Sequence, residues 1–326
     1  MDRRRFIGFA AANLVSVPFA AIAQQREKVR HIGYLQRGAP PVPADSDWDP
    51  APLRELGWFE GKNLVVERRY ARDGGERLDQ LAAELVRLNV EIIVTAGTDA
   101  AVAARGATTR IPIVMYSAGD PVGAGLVERL SKPGGNITGF SIATTELDVK
   151  RLEILREVLP KAQRVGEIFN PNNPISMVDR KQYEQAYRSL GMEPLFIDVA
   201  TAGQLESAFV KLIRQRAQAL VVPLDNLFVA NSLSIMRASM ANSLPTIVGS
   251  ESMVEDGGLV SYTFSDDERN RRFAYFIDKI LKGAKASDMP IEQPTKFELV
   301  INLKTAKKLG LTIPQSLLNR ASMVIQ

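Results

Sequence analysis

The sequence predicts an α/β protein of two doubly wound parallel-sheet lobes. Three observations carry this. Short β-branched runs alternate with helix-period segments. Two such series follow one another along the chain. And 326 residues suffice for about two domains of roughly 150 residues each.

In the first series the strands are His31–Gln36, Leu64–Tyr70, Glu91–Ala96 and Ile113–Tyr116. The last two are compact apolar runs, as expected of strands covered on both faces. Between them, Gly75–Leu88 carries Leu78, Leu81, Ala82, Leu85 and Leu88 at helical spacing. Thr98–Thr108 is Ala-rich and opens on a Thr-Asp pair suited to an N-cap. The second series follows a helix at Thr145–Leu159. Its strands are Arg164–Phe169, Glu193–Val199, Ala219–Pro223, Thr246–Val248 and Leu259–Tyr262. Its helices are Ile175–Leu190, Ala202–Arg216 and Val229–Ala241. A further helix, Asp266–Lys282, and a strand-like Phe297–Asn302 complete the chain. Strand–helix alternation implies parallel sheets with right-handed crossovers.

Composition narrows the function. Cysteine is absent and there is one histidine, which excludes disulfides, Cys/His zinc sites and cysteine nucleophiles. No cofactor is expected. The start, Met1 to Gly8, holds Arg3-Arg4-Arg5 before an apolar stretch from Phe6 to Ala23 that ends Ala21-Ile22-Ala23. This is the pattern of an export signal at 1–23 cleaved after Ala23, and Arg3-Arg4-x-Phe6 fits the twin-arginine route. Without residues 1–23 the formal charge falls from +4 to +2. No electrostatic case for nucleic acid survives.

In open parallel sheets, ligands bind beyond the carboxyl ends of the strands. That edge selects Gln36-Arg37-Gly38-Ala39, Thr95, Gly97-Thr98-Asp99 and Ser117 to Pro121 in the first half. In the second it selects Asn170 to Asn173, Leu224-Asp225-Asn226 and Ser250-Glu251. Helix N-termini there offer free N–H groups to a carboxylate, and Asp120, Asp225 and Glu251 offer charge to an ammonium. The set suits a zwitterion. Enzyme signatures fail. No Gly-x-Gly-x-x-Gly follows a strand, and Gly57 to Asn63 is not a P-loop. Ser117 has Gly119 after it but Met115 before it, half a nucleophile elbow. His31 opens a strand far ahead of it.

Ser131-Lys132-Pro133-Gly134-Gly135-Asn136-Ile137-Thr138-Gly139 resembles a signature of ABC-transporter substrate-binding proteins of the tryptophan/tyrosine type. Matching stretches are Arg54 to Trp58 with Gly61-Lys62-Asn63, Ile111 to Val114 with Gly119 to Val122, Asn170 to Pro174, and Pro294 to Asn302. The resemblance implies a type I periplasmic binding protein, a Venus-flytrap of two lobes joined by three crossing strands. One lobe would span 28–143 plus 265–326, the other 144–264. It implies a monomer in the periplasm that captures a small molecule, an amino acid or related aromatic or carboxylate metabolite. The partners are a membrane permease and its ATPase subunit. By motif position the contacts fall on Gln36, Thr95, Gly97, Thr98, Ser117, Asp120, Asn170, Asp225, Asn226 and Glu251. Tyr34, Tyr116, Phe140, Phe228 and Tyr262 are candidate stacking partners for an aromatic ligand. Alternatives are a sensor subunit of the same fold and a secreted Ser117-dependent hydrolase.

The chain departs from this pattern in places. Asp45–Pro52, with Pro50 and Pro52, stands where relatives carry a longer helix, which proline shortens. Gly38-Ala39-Pro40-Pro41 replaces a hydroxyl-bearing turn, and Arg37 adds a charge suited to an anionic ligand.

Overall fold

The computed structural model describes residues 29–38, 40, 48–71, 77–142 and 144–326. The export segment expected at 1–23, Ala39 and the first three residues of the Asp45–Pro52 departure lie outside these.

The first lobe runs β1 (Arg30–Arg37), α1 (Ala51–Glu55), β2 (Leu64–Ala71), α2 (Arg77–Arg87), β3 (Ile92–Ala96), α3 (Thr98–Ala107), β4 (Ile113–Ala118) and β5 (Ile137–Ser141). Its sheet has the order β2-β1-β3-β4-β5, all parallel. Alternation of side chains along each strand feeds two cores. Ile113 and Met115 join α2 and α3 on one face. Val114 and Tyr116 join Trp48 and, from the later helix at 266–281, Phe273 and Ile277 on the other. Proline shortens the helix at the Asp45–Pro52 departure as expected: α1 has five residues and carries Pro52 in its first turn.

Strand β5 is not among the strands expected from sequence; it begins at the end of the Ser131–Gly139 signature and runs to Ser141. It forms the edge of the first sheet. Gly139 sits there at φ +126° opposite Met115, whose backbone an added Cβ would overlap. Only glycine fits that conformation and that approach. Gly139→Ala should lower stability by about 3 kcal/mol or more, from φ strain plus overpacking. Urea unfolding measures it, and a loss under about 1 kcal/mol would show that the backbone relaxes.

The chain then crosses to the second lobe. There it runs α4 (Thr144–Val158), β6 (Arg164–Phe169), α5 (Pro174–Ser189), β7 (Glu193–Asp198), α6 (Leu205–Arg214), β8 (Ala219–Val222), α7 (Asn226–Ala230), α8 (Ser232–Ala241), β9 (Thr246–Val248), α9 (Glu251–Glu255) and β10 (Val260–Phe264). It crosses back into α10 (Asp266–Leu281), which packs Phe273, Phe276 and Ile277 onto the first sheet. A third crossing leads to β11 (Phe297–Asn302), α11 (Leu303–Lys308), α12 (Gln315–Leu318) and β12 (Met323–Ile325).

The tail corrects the expected lobe boundary. Residues 265–326 were assigned to the first lobe, but only α10 and the segment up to about residue 292 pack there. Strand β11 pairs antiparallel with β10, and β12 pairs parallel with β11. The second sheet therefore has the order β12-β11-β10-β9-β8-β6-β7. Ile301, Ala306, Ile313 and Leu317 join the core under α4 and α5.

At the hinge the crossings run side by side. Ser141 donates its N–H to the Glu292 carbonyl (2.8 Å), Glu292 to that of Gly139 (3.0 Å) and Ser265 to that of Lys296 (3.0 Å). Phe140, Ile142, Leu147 and Phe264 pack around them. Ordered backbone hydrogen bonds at the crossings confine lobe motion to rotation about them.

Candidate functional site: an inter-lobe cleft

Because both sheets are parallel where they face each other, the carboxyl ends of β1, β3 and β4 confront those of β8, β9 and β10. A cavity of about 490 Å³ lies between. Seven of the ten residues selected from sequence line it: Gln36, Gly97, Thr98, Ser117, Asp225, Asn226 and Glu251. Three do not. Thr95 is fully buried within the first sheet. Asp120 is exposed and accepts from the Val122 N–H (3.0 Å), closing the turn after β4. Asn170 is buried behind Asp225, to whose two oxygens it donates at 3.1 and 3.2 Å.

Asp225 is the focus. It caps α7, accepting from the Leu227 N–H (2.8 Å), and accepts from Asn173 Nδ2 (2.9 Å) as well as Asn170. Its partners are neutral amides, and among the described residues no Lys or Arg forms an ion pair with it. Burial raises its pKa above the usual carboxylate value. The three amide donors oppose that rise, and the charge of Asp99 adds to it.

Asn226 spans the cleft. Its Nδ2 donates to the Ala96 carbonyl at the end of β3 (2.9 Å), joining the second lobe to the first. Gly97 makes room: at φ +100°, an added Cβ would stand 3.0 Å from that Nδ2. Gly97, not the expected Thr-Asp pair, is the N-cap of α3. The Thr98 hydroxyl instead accepts from the Gly119 N–H (2.9 Å), tying α3 to the end of β4.

Arg37 does not present the free charge expected of it. Its Nε pairs with Asp99 at a side-chain exposure of 10% and 11%. Phe264, Asp266 and Arg269 are among the cleft residues not selected from sequence. Phe264 ends β10 and the other two follow it, and the carboxyl-edge rule applied to that strand would have found them. Arg269 stacks 4.4 Å from the Tyr116 ring and 5.1 Å from Phe264, and pairs with Asp266 (2.8 Å). Among the candidate stacking residues, Tyr34 and Tyr116 line the cavity. Phe140 packs at the hinge, Phe228 is fully buried in the second core, and Tyr262 stacks on Phe297.

Behind the second wall, Arg151 is almost wholly buried. It pairs with Asp148 and donates to the carbonyls of Tyr262 (2.8 Å) and Gly249 (3.4 Å), which precede two cleft loops. Among the described residues no cluster of three or more His, Cys, Asp or Glu side chains is placed to hold a metal. No helix among them is long and apolar enough to cross a membrane. Ser117 and His31 lie toward opposite ends of parallel strands.

Two α/β lobes, three crossings and a polar cleft define a type I binding protein. The chain belongs to the ABC transporter substrate binding protein family, whose model matches residues 51–325. It captures a small molecule between its lobes and delivers it to an ABC transporter. It is 28% identical over 259 residues to a tyrosine-binding protein of Clostridioides difficile, covering 79% of this chain and 74% of that one. Among solved structures it resembles a Streptococcus pneumoniae domain in complex with L-Trp (26% identity, TM-score 0.81, 90% of this chain and 100% of that one). It also resembles a ligand-free, open substrate-binding protein from Clostridium difficile (26% identity, TM-score 0.62, 91% and 100%).

Asn226→Ala should remove the hydrogen bond across the cleft, worth about 0.5–1.5 kcal/mol. The expected result is a larger radius of gyration in small-angle scattering of the free protein. An unchanged radius would mean that other contacts hold the lobes.

Proposed function

We propose that the ligand is an amino acid whose ammonium group is held by Asp225. The observation that carries this is the buried, amide-held carboxylate at the cavity wall, which has no cationic partner among the described residues. Leaving a charge so placed without a counter-ion is unfavourable, and a ligand ammonium supplies one. The tyrosine-binding relative and the L-Trp complex point to the same class. Ser117, Thr98 and the start of α3 are donors placed for the ligand carboxylate. Tyr34, Tyr116 and Phe264 give the side chain an apolar wall. Gln36, Gly97, Asn226 and Glu251 complete the contacts. Of the other expected contacts, Asn170 acts by orienting Asp225, while Thr95 and Asp120 take no part.

The wider setting follows. Residues 1–23 direct export, by the twin-arginine route, with cleavage after Ala23. The mature protein is a periplasmic monomer. Its closed form docks on the permease, and hydrolysis of ATP falls to a separate subunit.

Isothermal titration with a panel of L-amino acids tests the reading. Asp225→Ala should weaken the best ligand by about 2–5 kcal/mol, since it removes one member of a buried charged pair. Unchanged affinity would remove Asp225 from the site. The pH dependence has a definite sign. Binding needs ionised Asp225, whose pKa is raised in the free protein, so affinity should fall as pH drops through that raised value. Titrations from pH 8 downward measure this. Affinity that rises on acidification would contradict it.

A further inference from the structure

Among the described residues the charges lining the cavity do not balance. Arg37 and Arg269 face Asp99, Asp225, Glu251 and Asp266. Each arginine is already paired, Arg37 with Asp99 and Arg269 with Asp266. Asp225 and Glu251 remain, and neither forms an ion pair among the described residues. They occupy equivalent places. Val222 pairs with Val248 in the parallel register of β8 and β9, and each carboxylate lies three residues beyond its strand. The two therefore stand on neighbouring loops of one wall, both at the cavity. The ammonium of a zwitterion answers only one of them. The pKa of the second carboxylate is raised first by partial burial and then by the charges of Glu298, Glu255 and Asp266.

Resting on the amino-acid reading above, we infer that the ligand carries a second cationic group, as a basic amino acid does, and that Glu251 selects for it. Asp225 takes the α-ammonium. Glu251, half-buried at the start of α9, takes the side-chain cation. Donors for the carboxylate remain Ser117, Thr98 and the start of α3. An uncharged side chain leaves Glu251 desolvated and unpaired on closure, which discriminates against it.

The test compares L-lysine, L-norleucine and cadaverine on the full mature chain by isothermal titration at pH 7.5. Norleucine is nearly isosteric with lysine but lacks the side-chain ammonium, and cadaverine lacks the carboxylate. Lysine should bind at least about tenfold more tightly than norleucine, a 1.4 kcal/mol difference. In Glu251→Gln the lysine-to-norleucine ratio should collapse toward one, with the melting temperature of the free variant confirming its fold. Norleucine binding as well as lysine would overturn the inference while the amino-acid reading stands. Cadaverine binding without either amino acid would overturn the amino-acid reading while supporting a dicationic ligand. Binding of none of the three at millimolar concentration overturns the inference, and a neutral aromatic amino acid that then binds leaves the amino-acid reading intact.

Discussion

One buried carboxylate organises the cleft. Among the described residues no cation meets buried Asp225, which proteins tolerate only where hydrogen bonds offset the lost hydration. The fold supplies those bonds from three places. Strand β6 lies beside β8, so Asn170, just past its end, reaches both Asp225 oxygens. The next turn adds Asn173, and the first turn of α7 adds the Leu227 N–H. The amides hold the carboxylate in place but do not neutralise it. What remains is an un-neutralised carboxylate at the cavity wall, the feature on which the proposed ammonium site rests.

Specificity and motion follow from the same edge. Residue 226, next to Asp225, reaches across to the Ala96 carbonyl, so closure of the lobes and shaping of the Asp225 loop are mechanically adjacent. Arg151 fixes the wall from behind through the carbonyls of Tyr262 and Gly249. A rigid second wall, a hinge of three adjacent crossings and a bridging amide together make a two-state device. A ligand that contacts both walls shifts the population toward the closed form.

Much of this was readable from residues alone. Strands Arg164–Phe169, Thr246–Val248 and Phe297–Asn302 fell where compact β-branched runs placed them. The carboxyl-edge rule then found most of the cavity wall without a contact map. It erred where side-chain direction decides. Asn170 and Asp225 are both polar residues past a strand end, yet one stands behind the other. Asp120 points to solvent because its carboxylate closes its own turn. Other features depend on partners distant in sequence. Arg37 reads as a free cation until Asp99, 62 residues on, is brought beside it. The return of Phe297–Ile325 to the second sheet rests on antiparallel pairing with β10, which no local pattern announces.

The chemistry of the ligand is the central claim, and the molecule carried out of the cell answers it. Protein purified without denaturation, then unfolded in acid, releases its ligand for mass spectrometry. The account predicts an amino acid with a primary ammonium and a second basic group. A released dicarboxylate or other anion without an amine would contradict it.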